Sequence, residues 1–261
     1  MSRRLDGGDQ GAEVAAVPAP ERGQSLTEQL MHEQPSLHGE AQLWGLAWAA
    51  LDYIERTVQP GMATLETGAG ASTLMFASRG AVHEAVTPSA DEAERITAEC
   101  ERRGIATEKL RFRIGSSADV LRTWDARPLD LVLVDGAHAF PYPTLDWWYV
   151  QPHVKVGGLV LLDDAYMPPV AAVVDHLRNS QAWSLETPAS FRTAVARKLA
   201  DEIPDGEWKG ERVGGRMNFR YLPPGQRAVA SARQRFFSTR LGLKTVEVIR
   251  PFIGRSGPKE G

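Results

Sequence analysis

One cysteine, Cys100, stands in 261 residues, which excludes an internal disulfide and fits a reducing compartment. A lone thiol of this kind is more often a small buried hydrophobe than a nucleophile. No apolar run approaches the ~20 residues that a membrane-crossing helix needs. Arg3-Arg4 leads into a stretch rich in Gly and Asp, not into an apolar segment, so a cytoplasmic location is expected. Charge of one sign is also missing: 30 Lys and Arg face 33 Asp and Glu, a net charge of −3, which argues against a surface that coats nucleic acid. The exception is local, since from Gly225 to Gly261 eight Lys and Arg face two Glu, giving that tail +6 and leaving −9 for the rest. No self-similarity occurs at the periods of solenoids or propellers.

What is present is an ordinary globular composition, 43% hydrophobic and 24% charged, long enough for one large domain with extensions. Residues 1–24 are rich in Gly, Ala, Pro and charge without periodicity, and read as a disordered arm. Ser25-Leu26-Thr27-Glu28 has the form of a capping box, and Leu43, Leu46, Ala47, Ala50, Leu51 and Ile54 recur at helical spacing until Pro60-Gly61. Trp44 and Trp48 lie i,i+4 on that helix, as core packing or as a lid over a substrate. Apolar strands and amphipathic helices then alternate: strands end near 65, 86, 114, 134 and 162, with helices after 72, 91, 117, 142 and 169. A closing strand pair is expected at Trp183–Thr187 and Arg192–Arg197. Alternation of this kind means an α/β fold, Rossmann-like and doubly wound, with a mostly parallel sheet and helices on both faces. The domain is expected over 25–200, followed by a loop-rich C-terminal extension over 201–261 with a basic helix from Arg227.

The chain is organised around Glu66-Thr67-Gly68-Ala69-Gly70-Ala71-Ser72, a glycine-rich turn between a strand and a helix. Small residues there let a backbone bend sharply and approach a ligand, and the helix N-terminus that follows favours an anion. Ligands of such sheets lie beyond the carboxyl ends of the strands, which selects a consistent set of residues. After the second strand come Thr87-Pro88-Ser89, after the third Gly115-Ser116-Ser117, after the fourth Asp135-Gly136-Ala137-His138, and after the fifth Asp163-Asp164. Adjacent strand ends bring Asp135 and Asp163 together, and three clustered carboxylates repel one another when ionised. A hard cation such as Mg²⁺ would relieve that repulsion, and Asp135, Asp163 and Asp164 are the metal candidates; capping of helices or pairing with Arg is the other reading of the same acids. His138, three residues beyond Asp135, is placed to take a proton from an acceptor oxygen. His153 and His176 fall within helices and His32, His38 and His83 show no partner pattern, so all five read as structural.

The strand-ending ETGAGAS, the GSSADVL after the third strand, LDLVLVDGAH and VKVGGLVLLDD, in that order, resemble the successive motifs of class I S-adenosylmethionine-dependent methyltransferases, in particular the small-molecule O-methyltransferase-like group, over about Ser36 to Leu199. The resemblance implies methyl transfer to a hydroxyl of a small-molecule acceptor, with S-adenosyl-L-methionine as cofactor and Mg²⁺ as an optional assistant. It implies Gly68, Gly70 and Ser72 under the methionine part, Glu66 toward the amino group, and Ser116 with Ser117 at the adenine. Asp135 is shared between cofactor and chemistry, with His138 as its catalytic companion. The sequence departs from the family at the end of the second strand, where an acid should hold the ribose and Thr87 stands, with Ser89 nearby. No specific nucleic-acid partner and no transmembrane segment follow from the sequence, and a homo-oligomer is compatible with it. Two other readings stay open. One is a nucleotide-binding regulatory or assembly protein of the same fold. The other is a nicotinamide-dependent oxidoreductase, against which Thr73 in place of a third glycine counts.

Overall fold

The computed structural model describes residues 24–38, 45–201 and 222–237, the side chains of 233–237 excepted. Residues 1–23 of the expected arm, Leu43 and Trp44, and residues 202–221 and 238–261 of the expected C-terminal extension lie outside the described residues. Helix α1 is Leu26–Glu33, and the capping box forms as read: Ser25 Oγ accepts from the Glu28 amide and Glu28 reaches back to the Ser25 amide. The next helix, α2, is Trp48–Thr57, so Leu46 and Ala47 precede it, Ala47 in extended backbone and Leu46 buried.

From there strands and helices alternate: β1 Ala63–Thr67, α3 Ala71–Ser78, β2 Val82–Thr87, α4 Ala90–Arg102, β3 Leu110–Ile114, α5 Ser117–Val120, β4 Leu129–Val134, α6 Tyr142–Val150, β5 Val154–Leu162, α7 Pro168–Asn179, β6 Trp183–Leu185 and β7 Ala194–Lys198. The sheet runs β3-β2-β1-β4-β5-β7-β6, parallel except for β7, which lies antiparallel between β5 and β6. Alternation along the strands serves two apolar layers. Leu131, Leu133, Leu159 and Leu161 pack on the side of α1 to α4, while Val132, Val134, Val160 and Leu162 pack on the side of α6 and α7.

The chain divides into two compact units, 1–214 and 215–261. The second carries α8, Pro224–Phe237, which begins three residues before the expected Arg227. In the first, strand order reverses between β1 and β4, so the carboxyl ends of these two strands open a crevice.

Candidate active site

The crevice is a cavity of about 760 Å³, and its lining includes seven of the residues selected from the sequence for a cofactor: Gly68, Gly70, Ser72, Thr87, Ser116, Ser117 and Asp135. His138 and Asp164 line it too, with Tyr142, Tyr166 and Arg192 on its walls. Glu66 and Ser89 do not line it. Glu66 is 1% exposed and turned inward, accepting from Ser72 Oγ at 2.6 Å and from Thr73 Oγ1, with His83 Nε2 at 3.1 Å. It braces the first turn of α3 from beneath. Ser89 is the N-cap of α4, its hydroxyl accepting from the Glu92 amide.

The glycine turn contributes its shape more than its amides. Gly68 N–H donates to Val86 O and Gly70 N–H to Thr73 Oγ1, so neither is left for a ligand. Gly68 has φ +88°, and a Cβ there would lie 2.3 Å from the Asp135 carbonyl oxygen, so the close approach is of one strand end to the next. A Cβ on Gly70 would lie 2.9 Å from the imidazole of His38. That imidazole is held over the turn by Glu92, Nδ1 to Oε1 at 2.7 Å.

Glu92 is the carboxylate that sequence reasoning missed. It stands in the first turn of α4, lines the cavity, and accepts from Thr87 Oγ1 at 2.5 Å. An acid is thus present at the end of β2, delivered by the following helix through Thr87. Burial pushes its pKa up, but hydrogen bonds from His38 and Thr87 outweigh this and hold it below the usual carboxylate value. The signal in the sequence was the spacing: five residues from strand end to Glu92 is one helical turn past the Ser89 cap.

The three aspartates come together as the strand ends require, with the Asp135 amide bonded to Thr67 O and the Asp163 amide to Val134 O. Their counter-charge is an arginine. Arg192, in the β6–β7 loop, donates to Asp163 Oδ2 through Nη2 at 2.6 Å and through Nε at 3.1 Å, and its Nε lies 3.1 Å from Asp164 Oδ1. Thr193 Oγ1 takes the other Asp163 oxygen at 2.5 Å. Both pairings raise the arginine's pKa, Asp163 most. Burial, then Asp163 and Glu66, push the pKa of Asp135 well up against the opposing pull of Arg192. The expected Mg²⁺ site on Asp135, Asp163 and Asp164 fits these residues poorly, because Arg192 and Thr193 take both oxygens of Asp163 and Arg192 lies against one oxygen of Asp164. Among the described residues no group of three His, Cys, Asp or Glu could hold a metal ion. Asp164 takes a left-handed backbone, φ 50°, and its Oδ2 lies 3.3 Å from His138 Nε2.

Two histidines thus face the cavity, His138 as expected and His38 against expectation. His83 is structural as read, buried, bonded to Thr64 Oγ1 at 2.8 Å and stacked on Phe76. Cys100 is buried, its pKa raised to about 11 by burial, in keeping with an inert thiol. Asp146 on α6 is fully buried beneath Gly136 and Thr67, and burial raises its pKa.

A sheet of this order with its crevice at the switch point defines the class I methyltransferase fold, and comparison with known proteins agrees. Residues 65–165 match the family described as a methyltransferase domain. The structure is similar to that of the O-methyltransferase TomG from Streptomyces achromogenes, solved with S-adenosylmethionine, with a TM-score of 0.54 at 17% identity over 68% of this chain and 91% of that one. It is similar to an O-methyltransferase from Bacillus cereus in complex with S-adenosylhomocysteine, with a TM-score of 0.56 at 14% identity over 69% and 92%. No curated protein matches in sequence. Residues 65–165 thus match a methyltransferase domain, set in a fold of the class I methyltransferase type. Among the described residues no helix is long and apolar enough to cross a membrane.

Proposed function

We propose that the protein transfers a methyl group from S-adenosylmethionine to a hydroxyl of a small-molecule acceptor, without a metal. The observation that carries this reading is the single cavity of about 760 Å³ on which the glycine turn, Thr87 with Glu92, Ser116 and Ser117, and Asp135 with His138 converge. Its volume suits a nucleoside-sized ligand. Glu92, fixed by Thr87, receives the ribose hydroxyls, the role for which the sequence offered only Thr87 and Ser89. Ser116 and Ser117 edge the base, and Gly70 leaves room for the methionine part.

The cofactor supplies a methyl on a sulfonium, whose transfer leaves a neutral thioether. Transfer from a sulfonium needs mainly positioning and exclusion of water, which Tyr142, Tyr166 and Met167 provide as walls. With the cofactor bound, methyl transfer to the acceptor oxygen would release the hydroxyl proton, which must go to a base. His138 takes it: with Nε2 facing Asp164, Nδ1 is the nitrogen left to accept. Asp135, whose pKa is pushed well up by burial and by Asp163 and Glu66, lines the same cavity.

Incubation with methyl-deuterated S-adenosylmethionine and a panel of hydroxyl compounds, read by mass spectrometry, tests this. A deuterated O-methyl product with one S-adenosylhomocysteine per turnover is expected; labelled methyl found only on nitrogen or carbon would overturn the oxygen assignment.

A further inference from the structure

Asp164 holds a histidine on one oxygen and a cation on the other. Its Oδ2 lies 3.3 Å from His138 Nε2, and its Oδ1 lies 3.1 Å from Arg192 Nε. The carboxylate is buried and is set in this place by the left-handed backbone of its own residue, a conformation that a side chain with a Cβ keeps only where its surroundings enforce it. The candidate base and a guanidinium thus stand side by side across one carboxylate, and both line the crevice.

Arg192 is fastened at several points. Its Nη2 and Nε share Asp163 Oδ2, at 2.6 and 3.1 Å, and Nη2 reaches the Gly45 carbonyl at 3.3 Å. Its amide donates to Ser190 Oγ at 3.2 Å, and its carbonyl accepts from the Ala165 amide at 2.8 Å, which ties the β6–β7 loop to the turn after β5. Asp163 is itself held, since Thr193 Oγ1 donates to its other oxygen at 2.5 Å. An arginine carries five N–H donors. The contacts above run through Nε and Nη2, so the pair on Nη1 is no part of the fastening.

A cation fixed here stands where the strand-end carboxylates invite one. Beside a hydroxyl it favours the ionised form, and donors already in position stabilise charge developing on an oxygen without reorganising as it forms. Asp163 and Asp164 offset part of the charge of Arg192, but its N–H groups keep their direction and their strength as charge-assisted donors.

We propose that Arg192 is a catalytic residue that holds the place of a metal ion, its guanidinium donating to the acceptor oxygen while His138 takes the hydroxyl proton. The acceptor loses that proton and gains the methyl group, the electron pair of the broken bond staying on the departing thioether, and the guanidinium is unchanged at the end. The proposal rests on the methyltransferase reading above.

Titration of Mn²⁺ into the full chain held saturated with S-adenosylhomocysteine, with free Mn²⁺ read by its EPR signal, tests the place without an acceptor. Wild type and Arg192→Lys should leave Mn²⁺ free. Arg192→Ala should bind it saturably, one to one, through the vacated carboxylates, and Asp163→Asn added to Arg192→Ala should abolish that binding. Turnover of the hydroxyl compound that the labelled-methyl panel identifies tests the role. Arg192→Ala should lose about a hundredfold or more in kcat, the scale of losing a donor to a developing oxyanion, and Arg192→Lys should retain more. Unchanged affinity for S-adenosylhomocysteine shows that each variant is folded, and Arg192→Gln replaces Arg192→Ala in both arms should the latter not fold. Saturable Mn²⁺ binding by wild type, no Mn²⁺ binding by the folded neutral variant, or an unchanged kcat in that variant would overturn the proposal while leaving the methyltransferase reading intact. Failure of S-adenosylhomocysteine to bind wild type would bring down the underlying reading.

Discussion

Replacing Glu92 by glutamine keeps its size and removes its charge. In the free protein its two oxygens hold Thr87 Oγ1 at 2.5 Å and His38 Nδ1 at 2.7 Å, in a part-buried setting where a carboxylate outperforms an amide as acceptor. A hydrogen bond to a charged group contributes about 1.5–3 kcal/mol, against about 0.5–1.5 kcal/mol for a neutral one. A ligand diol must displace the existing partners, and an amide oxygen can still accept one bond, so the loss falls at the lower end. We expect Glu92→Gln to weaken S-adenosylhomocysteine by about tenfold, equivalent to about 1.4 kcal/mol. The analogue lacking the ribose 2′ and 3′ hydroxyls should bind wild type and Glu92→Gln alike. Calorimetry on both ligands and both proteins closes a cycle that isolates the hydroxyl contact. Equal loss for the two ligands, or no loss for either, would refute the assignment of the ribose to Glu92.

Gly70→Ala, whose Cβ meets only the end of the His38 side chain, should leave thermal stability near wild type and weaken S-adenosylhomocysteine; Gly68→Ala, with φ +88° and a backbone oxygen 2.3 Å from its Cβ, should lower Tm sharply, and thermal unfolding of the pair separates the two roles. Arg192→Met strands Asp163 without its counter-charge and should destabilise by about 3–5 kcal/mol in urea unfolding, while Arg192→Lys retains part of that; methyl transfer should be indifferent to EDTA, and a rate that falls with chelator and returns with Mg²⁺ would contradict the arginine-compensated cluster. Asp135 and Asp146 both have folded pKa values raised above the ordinary value of 3.8, so folding takes up protons and stability should fall as pH rises from about 4 through those raised values. Asp135→Asn and Asp146→Asn should each flatten that fall and raise Tm at neutral pH, checked by thermal melts across pH. A cationic ligand that draws the proton from Asp135 should bind more tightly as pH rises, while neutral S-adenosylhomocysteine should depend on pH less.

The sheet was readable because its signals are local and repeated: buried runs such as Leu129–Val134 between amphipathic helices leave little choice but a parallel α/β fold. Strand ends were readable for the same reason, and with them Gly68, Thr87, Ser116 and Asp135. What escaped depends on side chains reaching across the fold. Arg192 lies 29 residues from Asp163 and meets it only because β7 runs antiparallel beside β5. His38 lies 54 residues from Glu92 and meets it only because the segment after α1 folds over the glycine turn. Glu66 illustrates the opposite difficulty, since its place at a strand end is right while its carboxylate turns inward to Ser72, Thr73 and His83, a choice of rotamer that no spacing records.

The cavity between the ends of β1 and β4 is proposed to take S-adenosylmethionine. Titration of S-adenosylhomocysteine and, separately, NADH into the purified full chain by calorimetry tests it directly. Saturable one-to-one binding of S-adenosylhomocysteine, weakened by Gly70→Ala and Glu92→Gln, and no heat from NADH are expected. Saturable NADH binding with S-adenosylhomocysteine silent, or S-adenosylhomocysteine binding that neither substitution alters, would contradict it.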